Sequence, residues 1–167
     1  MKLDFIKATK SEDLLKIEEL AKTIWPTAFK GIVSTEQINF MLDWMYNLNQ
    51  IQNELKAGTV YELIYYENKP IGYCGYTKKQ NAVKIDKLYI IPEKQKLGIG
   101  SKVINHIYEY AKEQESDSLF LAVNKNNSNA INAYIKNGFK IVEEVKNDIG
   151  NGFFMDDYIM EKTNSAL

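Results

Sequence analysis

The chain has one cysteine, Cys74, one histidine, His106, and three prolines in 167 residues. A lone cysteine forms no intrachain disulfide, so nothing marks an oxidising compartment and a cytoplasmic location is expected. With few prolines, no repeat and no low-complexity tract, the sequence reads as one continuous domain over residues 1–167. Long apolar runs are missing too: the longest stops at five residues, Leu119 to Val123, against the roughly 20 a membrane-spanning helix needs. Asp4 and Lys7 interrupt any signal-peptide core. Nor is there an excess of charge, since 21 basic side chains face 22 acidic ones, so no nucleic-acid or membrane partner is expected. No metal site is expected either. What is present is 45% apolar and 26% charged residues, a globular mixture that at this length buries roughly 70% of the surface the unfolded chain exposes.

Leu3 to Thr9 reads as a short strand. Thr9 and Glu12 have capping-box spacing for a helix carrying Leu14, Ile17, Leu20, Ala21 and Ile24, which Trp25-Pro26 ends. A second helical region from Glu36 to Tyr46, continuing toward Lys56, stops at Gly58. Val60 to Tyr66, Ile71 to Thr77 and Val83 to Ile91 predict an antiparallel meander. From Gly98 to Glu115, Val103, Ile104, Ile107, Tyr108 and Ala111 make one apolar helix face. Leu119 to Val123 then reads as a parallel strand buried on both faces. A helix from Ser128 to Asn137 and strands Phe139 to Val145 and Phe153 to Glu161 follow. The order is close to βααββββαβαββ, an α/β arrangement with one parallel crossover in a mostly antiparallel sheet.

Chemistry concentrates in Gln95-Lys96-Leu97-Gly98-Ile99-Gly100-Ser101, between a strand and an amphipathic helix. N–H groups at a helix N-terminus are unpaired and partly positive, and glycines let an anion approach closely, so the expected ligand is a phosphate group. A dinucleotide fingerprint needs a third small residue where Val103 stands, and a Walker loop needs Gly-Lys-Ser/Thr; neither is met.

Downstream come Asn127-Ser128-Asn129-Ala130, Tyr134, Lys136, Gly138 and Phe139. Together with Leu88-Tyr89-Ile90-Ile91-Pro92 and the Gln-x-x-Gly-x-Gly loop, this resembles the GCN5-related N-acetyltransferase superfamily from Val83 to Phe139. The resemblance implies a mixed, mostly antiparallel sheet of about seven strands with a splayed parallel pair, flanked by about four helices. It also implies acetyl-coenzyme A as cosubstrate, lying in the V of that pair. Leu88, Tyr89 and Ile90 would hold the pantetheine arm through their backbone. Gln95, Lys96, Leu97, Gly98, Ile99, Gly100 and Ser101 would hold the pyrophosphate. Asn127 and Lys136 match positions that contact the cofactor's distal parts, Asn124 at the end of the neighbouring strand is a further candidate, and Tyr134 matches the tyrosine beside its sulfur.

The implied reaction is attack of a neutral amine on a thioester. An alkylamine with pKa near 10.4 must lose a proton first, at about 4.6 kcal/mol at pH 7. Asp86 is the candidate carboxylate, acting through water; the competing reading is a solvated strand residue paired with Lys84 or Lys87. Tyr134 would donate a hydrogen bond to the developing thiolate, against the alternative of a core tyrosine. His106 lies about 130° from the apolar helix face, using 100° per residue, and reads as solvent-facing. Cys74 reads as a small buried hydrophobe.

For the acceptor, Trp25, Phe29, Trp44 and Tyr46 offer aromatic surface, and Asp43, Asp148, Asp156 and Asp157 offer negative charge. These allow a small cationic amine, and Trp25-Pro26-Thr27-Ala28-Phe29 with Phe153-Phe154-Met155-Asp156 is loosely similar to bacterial polyamine acetyltransferases. The alternatives are acetylation of a protein or peptide amine and a non-catalytic coenzyme A sensor. Exposed apolar residues in the last strand leave room for a homodimer.

Overall fold

The computed structural model describes residues 1–164. A seven-stranded sheet runs in the order β1-β2-β3-β4-β5-β7-β6, and the chain packs as two compact units. One holds residues 1–77 and 86–103, the other residues 78–85 and those from Ile104 onward.

The first unit opens with β1 (Asp4–Lys7) and α1 (Ser11–Ala28). The cap falls one residue later than the sequence suggested, with the Lys10 N–H donating to the Asp13 carboxylate. Pro26 also fails to end α1, which runs on to Ala28: the proline sits on an exposed face in the last turn, where one missing donor does not break the helix. The second helical region is two helices, α2 (Thr35–Met45) and α3 (Leu48–Lys56). Asn47 divides them. Its Oδ1 accepts from the Gln50 N–H at 2.8 Å while its Nδ2 donates to the Asp43 and Trp44 carbonyls, so one side chain closes α2 and opens α3.

Strands β2 (Val60–Tyr66), β3 (Lys69–Lys79) and β4 (Ala82–Ile90) follow. They are three where the sequence string held four, and among the described residues the α-helices number five, close to the expected four. β1 and β3 each pair antiparallel with β2. Against this part of the sheet, Leu14, Ile17, Ala21, Ile24 and Trp25 present the buried face of α1. Burial of each large aliphatic side chain stabilises by roughly 1.5–3 kcal/mol. Beneath β4 lies an aromatic floor: the Trp25 indole N–H donates to the Tyr73 hydroxyl at 3.1 Å, which donates to the Tyr46 hydroxyl at 2.7 Å.

In the second unit, β4 and β5 (Ser118–Asn124) form the parallel pair, joined at only three positions, Ala82↔Ser118, Val83↔Leu119 and Lys84↔Phe120. On its other edge β5 pairs antiparallel with β7 (Phe153–Thr163) along its whole length. α4 (Ile99–Glu113) precedes β5, α5 (Ser128–Lys136) follows it, and β6 (Lys140–Gly150) is the outer strand. The expectation that β5 is buried on both faces is corrected. Leu119, Leu121 and Val123 are buried, but Ala122 is exposed and Phe120 and Asn124 are half-exposed, because the parallel ladder ends after Lys84.

Candidate active site

In the first unit, a 3₁₀ turn at Pro92–Lys94 lifts the chain off β4 into the loop that starts α4. Gln95 folds this loop back, its Nε2 donating to the Ile90 carbonyl at 2.9 Å. Its amide therefore positions the loop. Lys96 (φ 62°) and Gly98 (φ 77°) take left-handed conformations, which cost an L-residue roughly 1–2 kcal/mol and Gly98 nothing comparable. The result is a run of N–H groups without partners. Among the described residues, the N–H groups of Lys96, Leu97, Gly98, Ile99, Gly100 and Ser101 donate no hydrogen bond, and the helical ladder begins with the Lys102 N–H on the Gly98 carbonyl. A Cβ added at Gly98 or Gly100 would meet no atom within 4 Å. Free donors, a helix N-terminus and open space above the glycines fit a diphosphate.

On β4, Leu88 and Tyr89 are half-buried and Ile90 is buried. The Tyr89 ring packs 5.4 Å from Trp25 and 5.6 Å from Tyr73, which fixes this strand on the aromatic floor. Asp86 is half-buried and accepts from the Thr77 hydroxyl at 2.6 Å. Since Thr77 uses its proton there, Thr59 is the donor in the 2.8 Å Thr59–Thr77 contact, and two buried hydroxyls line up on one carboxylate. Lys87, read from sequence as a possible surface partner of Asp86, is only 5% exposed. Its Nζ donates to the Tyr61 hydroxyl at 2.8 Å and lies 3.5 Å from Glu54, while Tyr61 donates to Glu54 at 3.2 Å. Burial and the Glu54 charge hold the Tyr61 phenol well above its ordinary range, so it stays protonated.

The second unit carries Asn124, Asn127, Tyr134 and Lys136. Asn124 Oδ1 accepts from the Asn126 N–H at 2.9 Å, and Asn127 Oδ1 caps α5 by accepting from the Ala130 N–H at 3.3 Å. Both shape the turn that aims α5; Lys136 is exposed on its last turn. Tyr134 packs edge-on against Phe139 with ring centroids 5.5 Å apart, and burial pushes its phenol up to about 12. It is a hydrogen-bond donor at any physiological pH.

Several of the side chains named for the acceptor are engaged elsewhere. Trp25, Phe29 and Tyr46 are core residues, whereas Trp44 is 45% exposed and Asp43 is exposed. Asp148 accepts from the Gly150 N–H at 2.8 Å, and Asp156 pairs with Lys125 at 2.9 Å. Asp157 alone of the four is buried. His106 is half-buried on α4, so it is less solvent-facing than the helix wheel implies. Cys74 is fully buried, and desolvation with the nearby Glu62 charge pushes its thiol up, which removes it as a nucleophile.

The sequence model of the Acetyltransferase (GNAT) family matches residues 16–139. N-alpha-acetyltransferase 50 of Danio rerio is 27% identical over 145 residues, 84% of this chain and 85% of that protein. The probable N-acetyltransferase san of Drosophila melanogaster is 32% identical over 123 residues, 71% of this chain and 67% of that protein. Among solved structures, PaiA N-acetyltransferase from Thermoplasma acidophilum in complex with coenzyme A superposes with a TM-score of 0.82 at 25% identity, over 98% of this chain and 99% of that one. No helix among the described residues is long and apolar enough to cross a membrane. With the free N–H groups of the loop and the family match over the same residues, this chain belongs to the acetyltransferase (GNAT) family and is an enzyme that takes its acyl group from acetyl-coenzyme A.

Proposed function

We propose that residues 1–167 act as one cytoplasmic acetyltransferase domain whose acceptor is the α-amine of a peptide or protein chain. The observation that carries the acceptor class is the likeness to N-alpha-acetyltransferase 50 across 84% of this chain and 85% of that one. Energetics favour the same reading over a polyamine. An α-amine with pKa of 7.7–8.0 costs about 1 kcal/mol to neutralise at pH 7, against about 4.6 kcal/mol for an alkylamine. The acids that would attract a polycation are also engaged, Asp156 by Lys125 and Asp148 by its own turn.

The loop 95–101 holds the diphosphate through main-chain donors, and Leu88 to Ile90 line the pantetheine arm. Asn124, Asn127 and Lys136 serve the cosubstrate's outer parts, the asparagines by shaping the turn before α5. The acceptor nitrogen attacks the thioester carbonyl carbon, the C–S bond breaks as the tetrahedral intermediate collapses, and the amide and coenzyme A leave. Asp86, held by the Thr59–Thr77 hydroxyl chain, is placed to orient the incoming ammonium or its water. Tyr134 hydrogen-bonds the departing thiolate. Outright proton transfer from a phenol near 12 to a thiolate whose thiol titrates near 8.5 would run uphill by roughly 5 kcal/mol, so its contribution is charge stabilisation.

A thiol-release assay tests the acceptor. Peptides with a free N-terminus should turn over, and the same peptides N-terminally blocked, spermidine and aminoglycosides should not. Turnover of spermidine with silence on every peptide would replace this reading by the polyamine one.

A further inference from the structure

We propose that Asp157 is the group that takes the proton from the acceptor amine. It lies on β7 directly opposite Asn124, the last residue of β5, and opposite Val145 on its other side. β5 is one of the two parallel strands, and sheets of this kind bind ligands beyond the carboxyl ends of such strands. Cross-strand partners share a face, so Asp157 stands on the face that carries Phe120, Ala122 and Asn124, the open side of β5.

Its carboxyl is singular among the acids of this region. Asp157 is 4% exposed, and among the described residues its side chain forms no hydrogen bond or ion pair, whereas Asp156 holds Lys125. Its carboxylate oxygens still reach the surface, since the one fully enclosed side-chain polar atom without a partner among the described residues is Ser116 Oγ, so the group is largely removed from water yet open to an incoming amine. Three charges act on it: Asp156 from β7 reinforces the burial that raises its proton affinity, and Lys84 of β4 and Lys125 after β5 oppose it. Val145, its β6 neighbour, is uncharged. A carboxylate of raised proton affinity is a better acceptor for an ammonium proton than an ordinary surface aspartate.

The step balances. The acceptor ammonium gives one proton to Asp157, and the freed lone pair forms the C–N bond. Loss of the second proton as the amide forms is matched by the proton the thiolate takes up. Asp157 then returns its proton to water, so each turnover releases one proton net. The assignment rests on amine acetylation and holds for whichever amine the enzyme accepts.

The experiment measures kcat against pH for the wild type, Asp157→Asn and Asp156→Asn, on any amine that turns over, with calorimetry on coenzyme A and thermal melts alongside. Asp157→Asn should lower kcat about 100-fold or more, leave the coenzyme A Kd unchanged, and melt at the wild-type temperature or above. Its residual rate should climb tenfold per pH unit toward the amine's own pKa. Asp156→Asn removes the neighbouring charge and should move the acidic limb of the wild-type profile to lower pH. A kcat within threefold for Asp157→Asn with the acidic limb in place overturns the proposal. An unmoved limb in Asp156→Asn overturns it even if the first variant does not fold. Should peptides fail as acceptors while another amine is acetylated, the α-amine reading falls and the same profiles on that amine still decide for or against Asp157.

Discussion

Tyr134→Phe removes one oxygen and little else, since the ring's edge-on contact with Phe139 is kept. On the proposed role, the lost term is the phenol's hydrogen bond to a developing thiolate. Single donors of this kind at developing anions contribute about 2.7–4 kcal/mol, or roughly 100- to 1,000-fold in kcat. Because the bond strengthens only as charge builds on sulfur, KM for acetyl-coenzyme A should stay within threefold and the melting temperature should barely move. The assay is continuous thiol release at saturating acceptor, with single-turnover experiments to separate chemistry from product release. With the phenol near 12, the wild type should show no basic limb from Tyr134 below about pH 10. A kcat within threefold of wild type for Tyr134→Phe would refute the reasoning, as would a loss confined to KM.

Gly100→Ala adds a methyl that meets no protein atom and replaces glycine inside α4 by a better helix former, so the melting temperature should hold or rise while coenzyme A affinity falls tenfold or more; equal affinity would show that no ligand approaches the loop there. Lys87→Met leaves Glu54 and Tyr61 without their cation and should lower unfolding free energy by about 1–3 kcal/mol in urea titration, the lower range because the Glu54 side chain is 23% exposed. Cys74→Ser buries a hydroxyl in the core and should lower stability by about 1–3 kcal/mol with kcat unchanged, and in the wild type a thiol reagent should label Cys74 only on unfolding. The raised pKa of Asp157 means the folded state binds its proton more tightly than the unfolded one, so its favourable contribution exists at acid pH and is lost as pH rises through the folded value. Asp157→Asn should therefore be at least as stable as wild type at pH 7, with the gap closing as pH falls toward 4; a variant less stable at pH 7 would contradict the sign.

The glycine loop that opens α4 was legible as a helix N-terminus because its signals are local. Glycines at 98 and 100, an apolar face starting at Ile99 and the spacing from Asn127 to Tyr134 all lie within a few turns of chain. The break at Asn47 was also local, an asparagine three residues before Gln50, but it was masked by apolar residues that continue at helical intervals across it. What could not be read depends on strands meeting. Lys87 looks like any surface charge until β2 and α3 bring Tyr61 and Glu54 to it. The Thr59–Thr77–Asp86 chain joins the residue before β2 to positions on β3 and β4 that carry no motif, and Asp157 differs from Asp156 through its register with Asn124. Pairing rules for the sheet faces decide such cases, and they are set by the whole fold.

The account's centre is a diphosphate held by the free main-chain donors of residues 96–101. Calorimetric titration of the wild type with coenzyme A and, separately, with pantetheine, which lacks the diphosphate, tests it most directly. Saturable one-to-one binding of coenzyme A, at least tenfold weaker for pantetheine, is the predicted result. Equal affinity for the two, or no binding of coenzyme A at all, would contradict it.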